Sequence, residues 1–379
     1  MTMRRVETQP RPNWQATVES QGFAFHTAEG GQRYWDESVY YHFTPGEVDQ
    51  LEAATYALNE MAIAAVDQVI TTDRWADFDV PAAYVPWLRQ SWDRDELTLV
   101  GRFDLAFDGS GPPKLLEYNA DTPTSLLEAA VVQWFWLKDV RPRSDQFNSI
   151  HERLIEAWGV AKQTVVGGGR VHFVGLEAHP EDIGTVNYLR DTAIQAGLDT
   201  TTIDVAQVGW NADARRFVDP SLRPIDFAFK LYPWEWMMDE AFGPHLPVGP
   251  TRWWEPPWKV LLSNKAILAV LWELYPDHPN LVLASLTDDL DGDVVRKPRQ
   301  SREGNNVTIT RRGQLWHETA GDYPGPHVWQ RYVPIRTFDG FTPVVGSWMI
   351  NGYAAGIGVR EDRSPVTGNL SRFVPHLFG

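Results

Sequence analysis

Gly101-Arg102-Phe103-Asp104-Leu105 and Leu116-Glu117-Tyr118-Asn119-Ala120-Asp121 carry most of what this chain says about its fold. Both alternate polar with apolar residues, as strands with one covered face do. Between them lies Asp108-Gly109-Ser110-Gly111-Pro112-Pro113, dense in turn formers. The pattern predicts a β-hairpin. Residues two apart share a strand face, so Arg102 and Asp104 point one way, as do Glu117 and Asn119. With Phe107 opposite Lys114 at the turn, Asp104 faces Glu117 and Arg102 faces Asn119. Opposed carboxylates destabilise a sheet. The patch therefore calls for a positive partner, and an oxygen-ligated Mg²⁺ fits the chemistry. A solvent-facing strand pair with ordinary charges is the plainer alternative, and the hairpin alone leaves both open.

The chain has 379 residues, enough for two or three structural units with ample core. At 43% hydrophobic and 22% charged residues it reads as globular. Its net charge of −16 argues against nucleic acid or an anionic membrane as main partner, but leaves room for a locally positive pocket. The absence of cysteine excludes disulfides, thiolate metal sites and cysteine nucleophiles. No apolar run follows the charged residues near the N-terminus, and no stretch reaches the length of a membrane span. The cytoplasm is the expected location.

Thr44-Pro45-Gly46-Glu47 is a capping box with proline at the first helical position. Apolar residues at helical spacing follow, predicting a long helix over 45–70. A short helix is expected over 81–92. A third is expected over 124–138, capped by Thr124 or Ser125. The strand Val171–Gly175, the helical run 181–196 closed by Gly197, and the strand 200–205 form a β-α-β unit. Its glycines do not make the dinucleotide fingerprint. Further strands are expected at 227–232, 294–298, 307–309, 328–335 and 342–359. Residues 245–258 read as a connection, 263–275 as a helix and 301–306 as a polar loop.

Single residues hint at a nucleotide. Lys297 ends a strand just before the loop, and Gly304 would let backbone amides approach a phosphate. Lys265 opens the helix at 263, where anions are favoured. Taken alone, an edge-strand lysine and a solvent lysine are the commoner readings. Neither lysine fits the Walker pattern. Gln330 and Arg331 fall on opposite faces of one strand. Arg360 follows a strand of small residues, which suits either close approach of a ligand or a plain sheet edge. The tryptophans are mostly core residues, with Trp234, Trp236, Trp253, Trp254 and Trp258 as candidates to wall a cleft. The histidines lack convincing ligand spacing.

Arg102-Phe103-Asp104, Glu117-Tyr118-Asn119-Ala120-Asp121, Ser263-Asn264-Lys265-Ala266-Ile267-Leu268, Val295-Arg296-Lys297-Pro298 and Trp329-Gln330-Arg331-Tyr332 occur in an order that resembles the glutathionylspermidine synthase family. The resemblance runs from about Asn13 onward. It implies an α/β (α+β) chain with a permuted ATP-grasp fold, a Rossmann-like β-α-β subdomain and a small lid. The expected units are 1–160 (the metal-binding hairpin and first part of the core), 161–250 (the Rossmann-like part), 258–312 (the nucleotide lid) and 313–379 (the rest of the core). By similarity, Asp104, Glu117 and Asn119 hold two Mg²⁺ ions and Arg102 stabilises the charged transition state. Lys265 and Lys297 contact ATP phosphates. The loop 301–306 closes over the nucleotide through Arg302, Gly304 and Asn305, with Arg302 near the γ-phosphate. Gln330 lies beside adenine and Arg360 faces the acid substrate.

Two segments depart from the family pattern. The serine-rich substrate segment reads Thr122-Pro123-Thr124-Ser125, and the usual Trp-Glu-Thr reads Trp234-Glu235-Trp236. Thr122, Thr124 and Glu235 are therefore expected on a reshaped substrate pocket. Neither the length nor the composition suits the cysteine-dependent amidase domain that some members carry. The implied reaction joins a carboxylate, small-molecule or peptide, to an amine, with polyamines among the candidates, through an acyl phosphate and at the expense of ATP. A non-catalytic ATP-binding sensor or scaffold is the rival reading. A kinase or acid–thiol ligase would keep the phosphoryl chemistry and end elsewhere.

Overall fold

The predicted hairpin forms two strands of a five-stranded antiparallel sheet. Its order is Arg372–Val374, Tyr353–Asp362, Thr342–Ile350, Val100–Ala106, Lys114–Asn119. The computed structural model describes residues 2–379. Arg102 pairs with Asn119 and Asp104 with Glu117, as the alternation requires. The turn end differs from expectation: Lys114 pairs with Ala106, not Phe107. Leu116 is the extra residue of a bulge, and such bulges re-aim strands near functional sites.

The sheet rests on the helix Pro45–Thr71. Thr44 Oγ1 accepts from the Glu47 amide while Glu47 Oε2 accepts from the Thr44 amide at 2.8 Å, closing the capping box. Leu51, Leu58, Ala62, Ala65 and Val69 bury one face of that helix. Thr55 Oγ1 lies 2.6 Å from Ser347 Oγ on the sheet and satisfies a polar pair inside the core.

The β-α-β unit belongs to a four-stranded parallel sheet ordered Arg252–Trp254, Phe227–Lys230, Arg170–Gly175, Asp199–Asp204. Its crossover helix is Pro180–Gln195, and Gly197 follows at φ 81. The expected connection at 245–258 thus contains a strand, Arg252–Trp254, too short to show an alternation. Trp234, Trp253, Trp254 and Trp258 are buried core residues; Trp236 lines the largest of the described cavities, and Trp253 lines a small separate hollow.

A third sheet is antiparallel, ordered Ala284–Ser285, His327–Arg331, Val294–Pro298, Thr308–Arg311, Gln314–Glu318. Strands on both sides of position 312 share it. The strand expected over 328–335 stops at Arg331. Arg4–Glu7, Val39–Phe43 and His376–Phe378 form a small sheet that joins the two ends of the described chain.

Three helices differ from expectation. The short one spans Val85–Asp93. The one expected over 263–275 is two pieces, Val260–Ser263 and Ile267–Leu274. Asn264 breaks it, donating to the Phe78 carbonyl and accepting from the Ala266 amide, so Lys265 sits in the break and not on a helix start. The helix after the hairpin begins beyond Ser125, which is held at φ 66 and bonds Tyr34 instead of capping. It passes through a π-helical turn, Glu128–Val132, before Gln133–Val140. No described helix is long and apolar enough to cross a membrane.

Candidate functional site

Asp104 and Glu117 stand in the wall between two cavities. One is a slot of about 110 Å³ between the central sheet and the third sheet. Val295, Val307, Ile309 and Val344 make its apolar sides, and Lys265, Lys297 and Gln330 reach into it. The other, of about 340 Å³, opens toward the carboxyl ends of the parallel strands, where open α/β sheets place ligands. Arg102, Asn119, Thr122, Thr124, Arg302 and Arg360 line it, as do Glu181, Asp182 and Glu303.

The hairpin groups are tied together. Arg102 grips Asp104 through Nε at 2.6 Å and Nη2 at 3.0 Å, and its Nη1 donates to the Thr124 carbonyl at 2.6 Å. Asn119 Nδ2 donates to Asp104 at 3.1 Å and Glu117 at 3.3 Å. Gly346, opposite Asp104, leaves space for the arginine: a Cβ there would stand 2.8 Å from Arg102 Cδ.

On the slot side, Lys265 Nζ lies 3.3 Å from Glu117 Oε2 and donates to the Ser301 carbonyl at 2.7 Å. Lys297 Nζ donates to the Leu116 carbonyl at 3.0 Å and to Gln330 Oε1 at 2.8 Å. Gln330 Nε2 in turn donates to the Leu115 carbonyl. The bulge at Leu116 thus supplies the carbonyls that hold both slot residues.

Charge settles which forms these groups take. Burial pushes the Glu117 carboxyl up, but Lys265, Lys297, the Asn119 bond and Arg102 outweigh it and pull it down to about 2. Burial pushes the Lys297 ammonium down to about 8, against the upward pull of Glu117 and with repulsion from Lys265. Burial opposes the Arg102 charge, yet Asp104 and Glu117 hold its pKa above the usual value. Burial raises Asp182 to about 6, and Glu181 adds to the rise.

No group of three His, Cys, Asp or Glu residues among those described is arranged to hold a metal ion. The hard-oxygen set here is two carboxylates bridged by one amide, Asp104, Glu117 and Asn119. That donor chemistry fits Mg²⁺, which binds through one or two carboxylates and completes its shell with water and phosphate. Asn119 presents its NH₂ to both carboxylates, so ligation through its oxygen requires the amide to turn.

The other expected residues are placed unevenly. Arg302 points into the larger cavity, not the slot: Nη1 donates to Thr122 Oγ1 at 2.7 Å and Nη2 to Glu235 Oε1 at 2.6 Å, with Trp236 beneath the guanidinium. Gly304 lines both cavities. Asn305 lines neither and packs near Gly321. Arg360 Nη2 donates to the carbonyls of Gly368 and Asn369, leaving its buried Nε without a partner. Sequence reasoning missed Glu181, Asp182 and Glu303. The first two open a helix directly after a parallel strand, and that position was the available signal.

The family profile described as glutathionylspermidine synthase preATP-grasp matches residues 5–379. A Haemophilus influenzae protein provisionally named an acid–amine ligase is 39% identical, over 99% of this chain and 100% of that one. Trypanothione synthetase of Crithidia fasciculata is 29% identical over 83% of this chain, which spans only 53% of that protein's length. A solved structure of a glutathione synthetase-like effector from Globodera pallida shares the fold, with a TM-score of 0.58 over 98% of this chain at 10% identity. With its mixed α/β sheets and a family match over nearly its whole length, the chain belongs to the glutathionylspermidine synthase preATP-grasp family.

Proposed function

We propose that the chain is an ATP-dependent carboxylate–amine ligase with the permuted ATP-grasp arrangement, working through an acyl phosphate. The observation that carries the reading is the position of Asp104 and Glu117 in the shared wall of a lysine-bearing apolar slot and a polar cavity. In this reading the slot takes the nucleotide and the third sheet, with the loop 301–306, is its lid. The boundaries 1–160, 161–250, 258–312 and 313–379 stay as the proposed division, with the lid sheet extended to Arg331.

Lys265 and Lys297 neutralise phosphate charge, and Gln330 holds Lys297 in place at the adenine end. Two Mg²⁺ ions at Asp104, Glu117 and Asn119 would supply charge neutralisation to the phosphates. Arg102 meets the charge that develops on the transferring group from the cavity side. Arg360 orients the acid. Thr122, Thr124 and Glu235 shape the cavity around it, with Arg302 latched between two of them. Glu181, Asp182 and Glu303 face the same space and favour a cationic amine. Sequestration matters because water would otherwise consume the acyl phosphate.

The test is ADP release and untargeted product mass over a panel of acids and amines that includes glutathione and spermidine. The reading requires ADP release that depends on both partners, and a product equal to acid plus amine minus water. ADP release without a joined product would replace it with a kinase or hydrolase.

A further inference from the structure

A buried line of hydroxyls starts at a small hollow beside Arg102. Ser125 lines that hollow, where Arg102, Asp104 and Arg360 also meet. Its Oγ is 2.9 Å from Tyr34 Oη, and that hydroxyl donates to Glu128 Oε1 at 2.8 Å. Ser125, Tyr34 and Glu128 are each at most 2% exposed. The backbone is bent to make this line. Ser125 sits at φ 66, and Glu128 opens the π-helical turn, a widened turn common at functional sites. The helix gives up a serine cap to keep the contact with Tyr34.

We propose that Ser125, Tyr34 and Glu128 relay away the proton that an ammonium substrate must lose before it attacks, an inference that rests on the ligase reading above. An ammonium nitrogen has no lone pair. One of its protons passes to Ser125 Oγ as the Ser125 proton moves to Tyr34 Oη and the Tyr34 proton to Glu128 Oε1. The freed lone pair forms the C–N bond. The C–O bond of the acyl phosphate breaks, and phosphate leaves with that electron pair and the second nitrogen proton. Glu128 ends as a neutral acid. A small hollow lined by both Glu128 and Glu181 shares Phe25, Pro180 and Glu181 with the large cavity, and on that side the proton is discharged.

The groups around Glu128 suit the role. Glu181 faces it from the helix Pro180–Gln195, Arg360 from the strand Tyr353–Asp362, and Tyr34 from the segment before Val39. Burial and Glu181 push its carboxyl up to about 7, against the pull of its own backbone amide, Tyr34 and Arg360. Its basic form is therefore populated just above neutrality, where a proton acceptor is most effective.

The experiment compares wild type, Tyr34→Phe and Glu128→Gln with ATP, Mg²⁺ and the acid that supports ADP release. Two nucleophiles are used: spermidine, protonated at neutral pH, and hydroxylamine, which is neutral there. Both variants are expected to lose about 10²-fold in the spermidine rate, the lower range for general-base help, and to keep hydroxamate formation. The wild-type spermidine rate should rise with pH through about 7, and Glu128→Gln should lack that limb. Equal losses with both nucleophiles, or an unchanged pH profile, would overturn the relay and leave the ligase standing. Absence of any amide from wild type would remove both. Should Glu128→Gln fail to fold, Tyr34→Phe and Ser125→Ala decide: loss of the spermidine rate with hydroxamate formation kept supports the relay, and equal losses with both nucleophiles overturn it.

Discussion

The two cavities that meet at Asp104 and Glu117 are built from opposite chemistry. The slot has apolar walls and two lysines, one of them with its ammonium pulled down to about 8 by burial. The larger cavity mixes three arginines with the carboxylates Glu181, Asp182 and Glu303. A slot of the first kind suits a flat ring with a polyanionic tail. A cavity of the second kind suits a zwitterionic pair, an acid near the arginines and a cation near the carboxylates. The difference teaches that the hairpin divides two jobs. Its carboxylates satisfy the lysines on one side and the arginine on the other, so a change at either carboxylate reaches both cavities.

Removing the divider should have the largest effect. Glu117→Gln keeps shape and removes the charge that Lys265 and Lys297 face. Both lysines retain carbonyl partners, Ser301 for Lys265 and Leu116 for Lys297, so the fold should survive. Amine-dependent ADP release should fall by about 10²–10³, the range for loss of a preorganised electrostatic group. Coupled-enzyme kinetics beside a thermal melt check this. Near-normal turnover would show that the two cavities do not work through this residue.

A stability measurement sharpens the contrast next. Glu128 is buried, and its folded pKa of about 7 lies above its ordinary value of 4.5. A raised carboxyl favours the folded state at low pH, and that contribution is lost as pH rises through about 7. Glu128→Gln should therefore melt like wild type below pH 4.5 and gain stability above about 7. The gain is about 3 kcal/mol, from a shift of roughly 2.5 units at 1.36 kcal/mol each. Denaturant midpoints across that pH range give the answer, and parallel curves would deny the buried charge.

How far the sequence spoke differs between the two cavities for physical reasons. Strand alternation fixes which residues share a face, so the pairings Arg102–Asn119 and Asp104–Glu117 were legible. So were the capping box at Thr44 and the β-α-β crossover, because both are local patterns. The bulge at Leu116 was not, since nothing in a single strand records its partner's register. The break at Asn264 depends on the Phe78 carbonyl, distant in sequence, and an unbroken helix was the natural local reading. The two-residue strand Ala284–Ser285 is too short to carry a period. The family resemblance puts Arg302 beside the nucleotide, whereas Thr122 and Glu235 draw the side chain into the other cavity. Glu181 and Asp182 read as helix-start acids, and only the sheet around them makes them a cavity wall.

Lys297→Ala tests the slot alone. The ammonium is buried and bonded to Leu116 and Gln330, so its loss removes a positive charge and leaves the Gln330 amide held only through the Leu115 carbonyl. ATP affinity by calorimetry should weaken about tenfold, or about 1.4 kcal/mol, while amine KM stays unchanged. Equal affinity would take the lysine out of the nucleotide's reach.

The smallest effect should come from the opposite side. Glu181→Gln leaves Asp182 and Glu303 in place, so the cavity keeps most of its negative wall. The KM for a cationic amine should rise only a few-fold, on the order of 0.5–1 kcal/mol for one partly solvated charge. ATP affinity should not move. Removing Glu181 also takes away one of the causes that raise Asp182 and Glu128, so both carboxyls should titrate at lower pH in the variant. The pH limb of the alkylamine rate should then shift downward with Glu128. A limb that stays in place while KM rises would assign Glu181 to amine binding alone and separate it from the proton's route.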